Sequence, residues 1–250
     1  MNATLLTIGI TLGCSLTNFI ATKIYNYFTG DSKNFIWKNK NIDLKSFKLN
    51  EDFNELKKRT RIVVIDDEDN FPVKLFVDEG YSIDKWDKVK DYGKLENGFF
   101  DIIILDIKGV AEHISEEDGL GVLVDLKKNN PAQIIISYSQ HSYDLNKVQF
   151  FQQADENIAK PSDFLKIKGI LDNLISLQFK PERYINALNL ELKRNNISES
   201  EIKKINTEIS KTIKTKKYPD WDLILNSIAG KTQLVKQITS LGNTIIKFFK

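Results

Sequence analysis

Three short, unbroken apolar runs rich in β-branched residues constrain this chain more than any other feature: Ile62–Ile65, Ile102–Leu105 and Ile134–Ile136. Runs of this length are too short for buried helices, and they lack the alternation of a strand with one wet face. They suit strands buried on both faces of a parallel sheet. Amphipathic stretches of helical length separate them, at about 71–80, 92–99, 119–129 and 144–153. A closing helix is predicted at about 162–177, where Phe164, Ile167, Ile170, Leu171 and Leu174 recur at helical spacing. Weaker strand signals at 82–89 and near 156–159 complete the set. Five strands alternating with five helices predict a doubly wound α/β fold around a five-stranded parallel sheet. Ligands of such folds bind at the carboxyl ends of the strands.

Those ends carry the chemistry. The first run is followed by Asp66 and Asp67, the second by Asp106, and the third by Ser137 and Ser139, while Lys160-Pro161 follows the last strand signal. Taken alone, Asp66-Asp67 could cap a helix and favour its dipole. Together, three carboxylates, a hydroxyl and an ammonium meet at one edge of a sheet, and such a carboxylate cluster calls for a cation. The charge distribution agrees. The formal net charge is only +2, yet residues 61–175 carry 13 Lys/Arg against 22 Asp/Glu, whereas residues 1–60 carry nine against five and residues 176–250 carry 14 against seven. An acidic middle, −9, lies between flanks of +4 and +7. A divalent cation held by oxygen ligands suits the acidic block. The single cysteine, Cys14, cannot form an internal disulfide, and His113 and His141 lack zinc spacing. Both histidines read as solvated loop residues, and Asp118-Gly119 as a helix start.

The ordered set Asp66-Asp67, Asp106, Ser139 and Lys160-Pro161 resembles the receiver domain of two-component response regulators over roughly residues 60–177. The resemblance implies a flavodoxin-like receiver fold in which Asp106 accepts a phosphoryl group from a sensor histidine kinase or phosphotransfer protein. It implies Mg²⁺ held by Asp66, Asp67, Asp106 and the backbone carbonyl of Lys108, with Lys160 pairing a phosphoryl oxygen after a cis peptide bond to Pro161. Ser139 takes the switch position, with Ser137 as its alternative. The sequence departs from the family pattern in three places. The loop KGVAEHISEE between Asp106 and Asp118 is several residues longer, Lys108 stands where a side chain sets the phosphate's lifetime, and Asn157 replaces an aromatic residue. A haloacid-dehalogenase-type phosphatase is set aside, because it needs a second aspartate where Lys108 stands.

Around this domain the chain divides into residues 1–28, an anchor-like helix; 29–59, a linker; and 178–250, a helical extension. Residues 3–22 contain no charge, enough helix to span a hydrocarbon core of roughly 30 Å, and the lysines that follow place the rest of the chain on the cytoplasmic side of a membrane. A helix packed on a soluble core is the alternative. In the extension, Pro181 opens one helix, Ser198 and Glu201 form a capping box for a second, and Pro219-Asp220 begins a third. Ile202, Ile205, Ile209 and Ile213 make a packing seam, and Leu234, Ile238, Leu241, Ile245 and Phe249 an apolar side of the last stretch. That side could pack on the receiver, pair with a second copy or lie on an anionic membrane. Lys outnumbers Arg twelve to two here and no recognition motif is visible, which speaks against nucleic acid. No enzymatic output motif is present, so activity is expected to stop at self-phosphorylation and self-dephosphorylation. The rivals are a pseudo-receiver scaffold that is not phosphorylated and a DNA-binding regulator.

Overall fold

All five expected strands form, and they pair in parallel in the order β2-β1-β3-β4-β5, the flavodoxin-like doubly wound arrangement. They are β1 (Arg61–Ile65), β2 (Ser82–Trp86), β3 (Ile102–Leu105), β4 (Ile134–Ser139) and β5 (Glu156–Ala159). The computed structural model describes residues 44, 47, 52–140, 148–216, 219, 221, 225, 228 and 231–249. The anchor-like stretch 1–28, most of the expected linker, His141 and most of the helix expected from Pro219 lie outside these residues. Among the described residues, no helix is long and apolar enough to cross a membrane.

The β-branched runs are buried on both faces, as their composition demands. Val63, Ile65, Ile103, Leu105 and Ile135 point to one side, where α3 (Tyr92–Glu96), α4 (Gly119–Asn129) and α5 (Val148–Gln153) lie; Leu95, Val122, Leu123 and Leu126 join their cluster. Ile62, Val64, Ile102, Ile104, Ile134 and Ile136 face the other way, toward Leu56 of α1 (Phe53–Arg59), Phe76 of α2 (Val73–Asp78) and Ile167, Leu171 and Leu174 of α6 (Phe164–Leu177). Two strand boundaries differ from expectation. The second strand stops at Trp86, because the chain leaves the sheet and Val89 donates its amide to the Val110 carbonyl, 2.9 Å away. The fourth runs on through Ser139, so both serines belong to the ladder, with Ser137 opposite Leu105 and Asn157, and Ser139 opposite Ala159.

The C-terminal helices are α7 (Pro181–Arg194), α8 (Glu199–Thr215) and α9 (Thr232–Lys247). The capping box forms as read, with the Ser198 hydroxyl accepting from the Glu201 amide. The isoleucine seam of α8 and Leu234, Ile238, Leu241 and Ile245 of α9 are buried in the same apolar cluster as one face of the sheet. Of the three destinations open to the last stretch, packing on the sheet unit is the one observed. Leu44 and Leu56, from the stretch read as linker, lie in that cluster too.

Candidate functional site

β1 lies between β2 and β3, and its pairing with each continues one residue beyond the strands. The Asp66 amide donates to the Trp86 carbonyl at 3.0 Å and the Asp106 amide to the Ile65 carbonyl at 2.9 Å. Both aspartates are thereby fixed side by side at the carboxyl edge. Asp66, Asp67 and Asp106 offer carboxylate oxygens that all lie within 4.8 Å of one another. Lys160 reaches this cluster from the end of β5, across a cis bond to Pro161. Its ammonium donates to Asp66 Oδ1 and, at 2.5 Å, to Asp106 Oδ2. Glu68 is a more distant partner at 3.6 Å. The Lys160 Nζ also stands 4.9 Å from the centroid of the buried Tyr138 ring.

Charge and burial set the protonation behaviour. Burial holds the Asp106 carboxyl above the ordinary aspartate range, while the Lys160 ammonium and the Ile107 amide, 2.6 Å from Oδ1, pull the other way. Burial alone would depress Lys160, but its hydrogen bonds to Asp106 and Asp66 outweigh that and hold its pKa above the ordinary lysine value. One ammonium does not balance three carboxylates. Asp66 is fully buried, and its Oδ2 has no hydrogen-bond partner. A buried, unpartnered carboxylate oxygen beside two further carboxylates is a donor set suited to a hard divalent cation, so the residues fit Mg²⁺.

The serines divide. Both are buried, and both point to the face of Ile135. Ser137 donates its hydroxyl to Asn157 Oδ1, on β5 directly opposite. Ser139 stands two residues farther along, and its carbonyl accepts the Lys160 amide at 3.1 Å. Asn157 is therefore tied to a strand serine.

Several contributors escaped the sequence reading. Gly109 adopts φ +79°, and a Cβ there would stand 2.4 Å from Asp67 Oδ2, so a side chain would displace that carboxylate. Asp118 is not a side-chain cap. Its carboxylate accepts the Gly109 amide at 2.5 Å and the Ala111 amide at 2.6 Å, closing the long loop on itself. His113 is exposed, and its Nε2 bonds the Val89 carbonyl at 2.9 Å, tying two loops together. Lys108 is exposed between Asp106 and Gly109. For the roles of Gly109 and of the Asp118 carboxylate, the only early signal was the length of the loop.

No protein-family model matches the chain, and no curated protein does. Among solved structures, it is similar to a CheY-like response regulator receiver domain protein from Methanospirillum hungatei, with 22% identity over 48% of this chain and 95% of that one, at a TM-score of 0.38. A two-component response regulator from Clostridium difficile gives 22% identity over 47% and 95%, at 0.38. The response regulator TrrA from Thermotoga maritima, solved in complex with Mg²⁺ and BeF, gives 27% identity over 46% and 98%, at 0.36.

Proposed function

We propose that this chain is a phosphoreceiver of a two-component relay, in which Asp106 takes a phosphoryl group from a phosphohistidine on a sensor kinase or phosphotransfer protein. The observation that carries the proposal is the meeting of Asp106 with Asp66, Asp67 and the buried Lys160 at one sheet edge. A carboxylate oxygen of Asp106 attacks phosphorus as the P–N bond to the donor histidine breaks. The imidazole leaves with the bonding pair, and an acyl phosphate forms. Mg²⁺, held by Asp66, Asp67, Asp106 and the Lys108 carbonyl, would supply positive charge to the transferring oxygens.

This chain's residues do the rest. Lys160 must release Asp106 Oδ2 for that oxygen to react, and its ammonium then pairs with the phosphoryl group while keeping Asp66. The Ile107 amide holds the other Asp106 oxygen, which orients the nucleophile. Ser139 is the proposed hydroxyl donor to the phosphoryl group, and Ser137, tied to Asn157, its alternative. No activity beyond self-phosphorylation and self-dephosphorylation is proposed. Residues 1–28 would tether the protein to the cytoplasmic face of a membrane, and equal solubility of the whole chain and of residues 29–250 would remove that part.

Incubation with acetyl phosphate and Mg²⁺ tests the main reading. The expected product gains the mass of one phosphoryl group, is labile to base and hydroxylamine, and is absent from Asp106→Asn. No such product, together with no Mg²⁺ binding by calorimetry, would favour the pseudo-receiver scaffold.

A further inference from the structure

The loop between β3 and α4 runs twelve residues, from Ile107 to Asp118, and one side chain fastens it beside the carboxylate cluster. Asp118 accepts the Gly109 amide on Oδ2 at 2.5 Å and the Ala111 amide on Oδ1 at 2.6 Å. Both oxygens of one carboxylate are thus engaged on the turn that follows Asp106. An ionised acceptor makes such bonds roughly twice as strong as a neutral one.

Asp118 is anchored in turn. The next residue, Gly119, donates its amide to the Ile107 carbonyl at 3.1 Å. A Cβ on Gly119 would stand 2.1 Å from the Asp106 carbonyl oxygen, so the start of α4 lies directly against the backbone of the acceptor. Asp118 itself is held at φ 52° and ψ −131°, a conformation that persists only where the surroundings over-determine it. At the other end of its bonds, Gly109 presses on the cluster, where a Cβ would stand 2.4 Å from Asp67 Oδ2.

The Gly109 amide belongs to the same peptide unit as the Lys108 carbonyl. That unit is planar and trans, so its N–H and C=O point in opposite directions. Holding the amide on Asp118 therefore fixes the carbonyl's direction, away from Asp118. The carboxylate's charge also polarises the unit and makes the carbonyl oxygen a stronger ligand. We propose that Asp118 is a positioning residue for the divalent cation, which aims and polarises the Lys108 carbonyl through the Gly109 amide. The inference rests on the reading above, in which that carbonyl joins Asp66, Asp67 and Asp106 around Mg²⁺. With both of its oxygens on amides, Asp118 acts through the carbonyl and not as a ligand itself.

Calorimetric titration of the whole chain with magnesium chloride, at constant ionic strength, compares the wild type with Asp118→Asn and Ser115→Ala. The asparagine keeps one acceptor oxygen and loses the charge. Ser115→Ala loosens the same loop elsewhere, at the Glu117 amide 3.2 Å from Ser115 Oγ. The Mg²⁺ dissociation constant should rise roughly tenfold or more in Asp118→Asn, the scale of losing an outer partner of a metal ligand, and stay unchanged in Ser115→Ala. The Mg²⁺ concentration for half-maximal phosphorylation by acetyl phosphate should rise by the same factor, with the plateau retained. A purely structural tie would lower thermal stability in EDTA and leave Mg²⁺ affinity where it was. That result, or equal weakening in Ser115→Ala, overturns the inference and leaves the receiver reading standing. No Mg²⁺ binding by the wild type overturns the inference and, if no acyl phosphate forms, the receiver reading with it. Should Asp118→Asn fail to fold, the wild type decides by nuclear magnetic resonance. With carbonyl-¹³C lysine and ¹⁵N glycine, only Lys108-Gly109 and Lys168-Gly169 carry the labelled pair. A Gly109 amide protected from exchange in EDTA is expected, with a Mg²⁺-induced shift of the Lys108 carbonyl and none at Lys168. An unprotected Gly109 amide, or no shift at Lys108, overturns the proposal.

Discussion

Replacing Lys160 by methionine keeps the aliphatic stem and removes the one ammonium that the described contacts place on Asp66 and Asp106. Both carboxylates are buried, Asp66 fully. Breaking such a pair from one side costs about 3–5 kcal/mol. An independent estimate comes from protonation, because the pair can relieve itself by sharing a proton. At pH 7 that costs about 1.36 kcal/mol for each of the roughly three pH units down to an ordinary aspartate pKa, or ~4 kcal/mol. The two agree, and ~4 kcal/mol is a large part of a typical domain's stability. The pH dependence has a definite sign. Burial already raises the Asp106 pKa in the folded chain, so the protonated form stabilises the fold. That contribution is complete below the unfolded aspartate value and is lost as pH rises through the folded one. Without Lys160 the folded pKa climbs further. The variant should therefore regain stability as pH falls from 7 toward 4, with a slope approaching 1.36 kcal/mol per pH unit where the proton is taken up. Mg²⁺ should rescue it as well, by about 2.7 kcal/mol at a hundredfold excess over its dissociation constant. Urea unfolding followed by tryptophan fluorescence, in EDTA and in Mg²⁺, measures all three effects. A loss under about 1 kcal/mol with a flat pH profile and no Mg²⁺ gain would refute the electrostatic account of this edge.

Gly109→Ala should cost about 1–2 kcal/mol for its left-handed backbone, and the new Cβ should displace Asp67 and weaken Mg²⁺ binding in a fluorescence titration; unchanged affinity would detach the loop from the metal site. Ser198→Ala removes the hydroxyl half of the capping box, leaving the amide of residue 198 on the Glu201 carboxylate, and should lower stability by about 1 kcal/mol in thermal unfolding, with no change in phosphorylation by acetyl phosphate. Lys108→Asn replaces an exposed cation next to the proposed acceptor, Asp106, and should shorten the lifetime of the acyl phosphate formed there. An unchanged half-life would remove any shielding role.

How much of this was legible in the sequence follows from the range of each force. The placement of Asp66 and Asp106 could be read because the β-branched runs of β1 and β3 must be buried on both faces, which marks where those two strands end; β5, buried at Ile158 alone, gave Lys160 no such signal. The exact positions of Ser137 and Ser139 could not be read either. A strand that continues past its apolar run is held by ladder bonds to β3 and β5, and the run itself carries no trace of them. Asp118-Gly119 opens α4 as read, but the partners of the Asp118 carboxylate, Gly109 and Ala111, are set by the path of a twelve-residue loop from Ile107 to Asp118, which no local signal carries. The seam of α8 and the apolar side of α9 announced that they were buried. Periodicity does not say against what.

That last gap matters for how a signal would leave the site. The receiver resemblance implies that a helical output segment responds through the face near Ser139 and Lys160. The described polar contacts instead join the C-terminal helices to the amino edge of the sheet. Arg183 meets Ala132 and Asp155, Gln237 the Lys128 carbonyl, Ser240 the Glu96 carbonyl, and Lys247 Asp101. β3 separates the two ends, with Asp101 before it and Asp106 after it, roughly 16 Å apart at strand rise. The helices therefore read as part of the fold and not as a detachable output. Removing residues 217–250 tests this. Leu234, Ile238, Leu241, Ile245, Ile246 and Phe248 would be lost from the core. At about 1.5–3 kcal/mol for each large apolar side chain, the loss is on the order of 10 kcal/mol, comparable to the whole stability of a domain. The expected result is a truncated chain with no cooperative thermal transition, which binds a dye for exposed apolar surface. A truncated chain that melts cooperatively near the full-length temperature and still takes a phosphoryl group from acetyl phosphate would make the C-terminal helices a separable module.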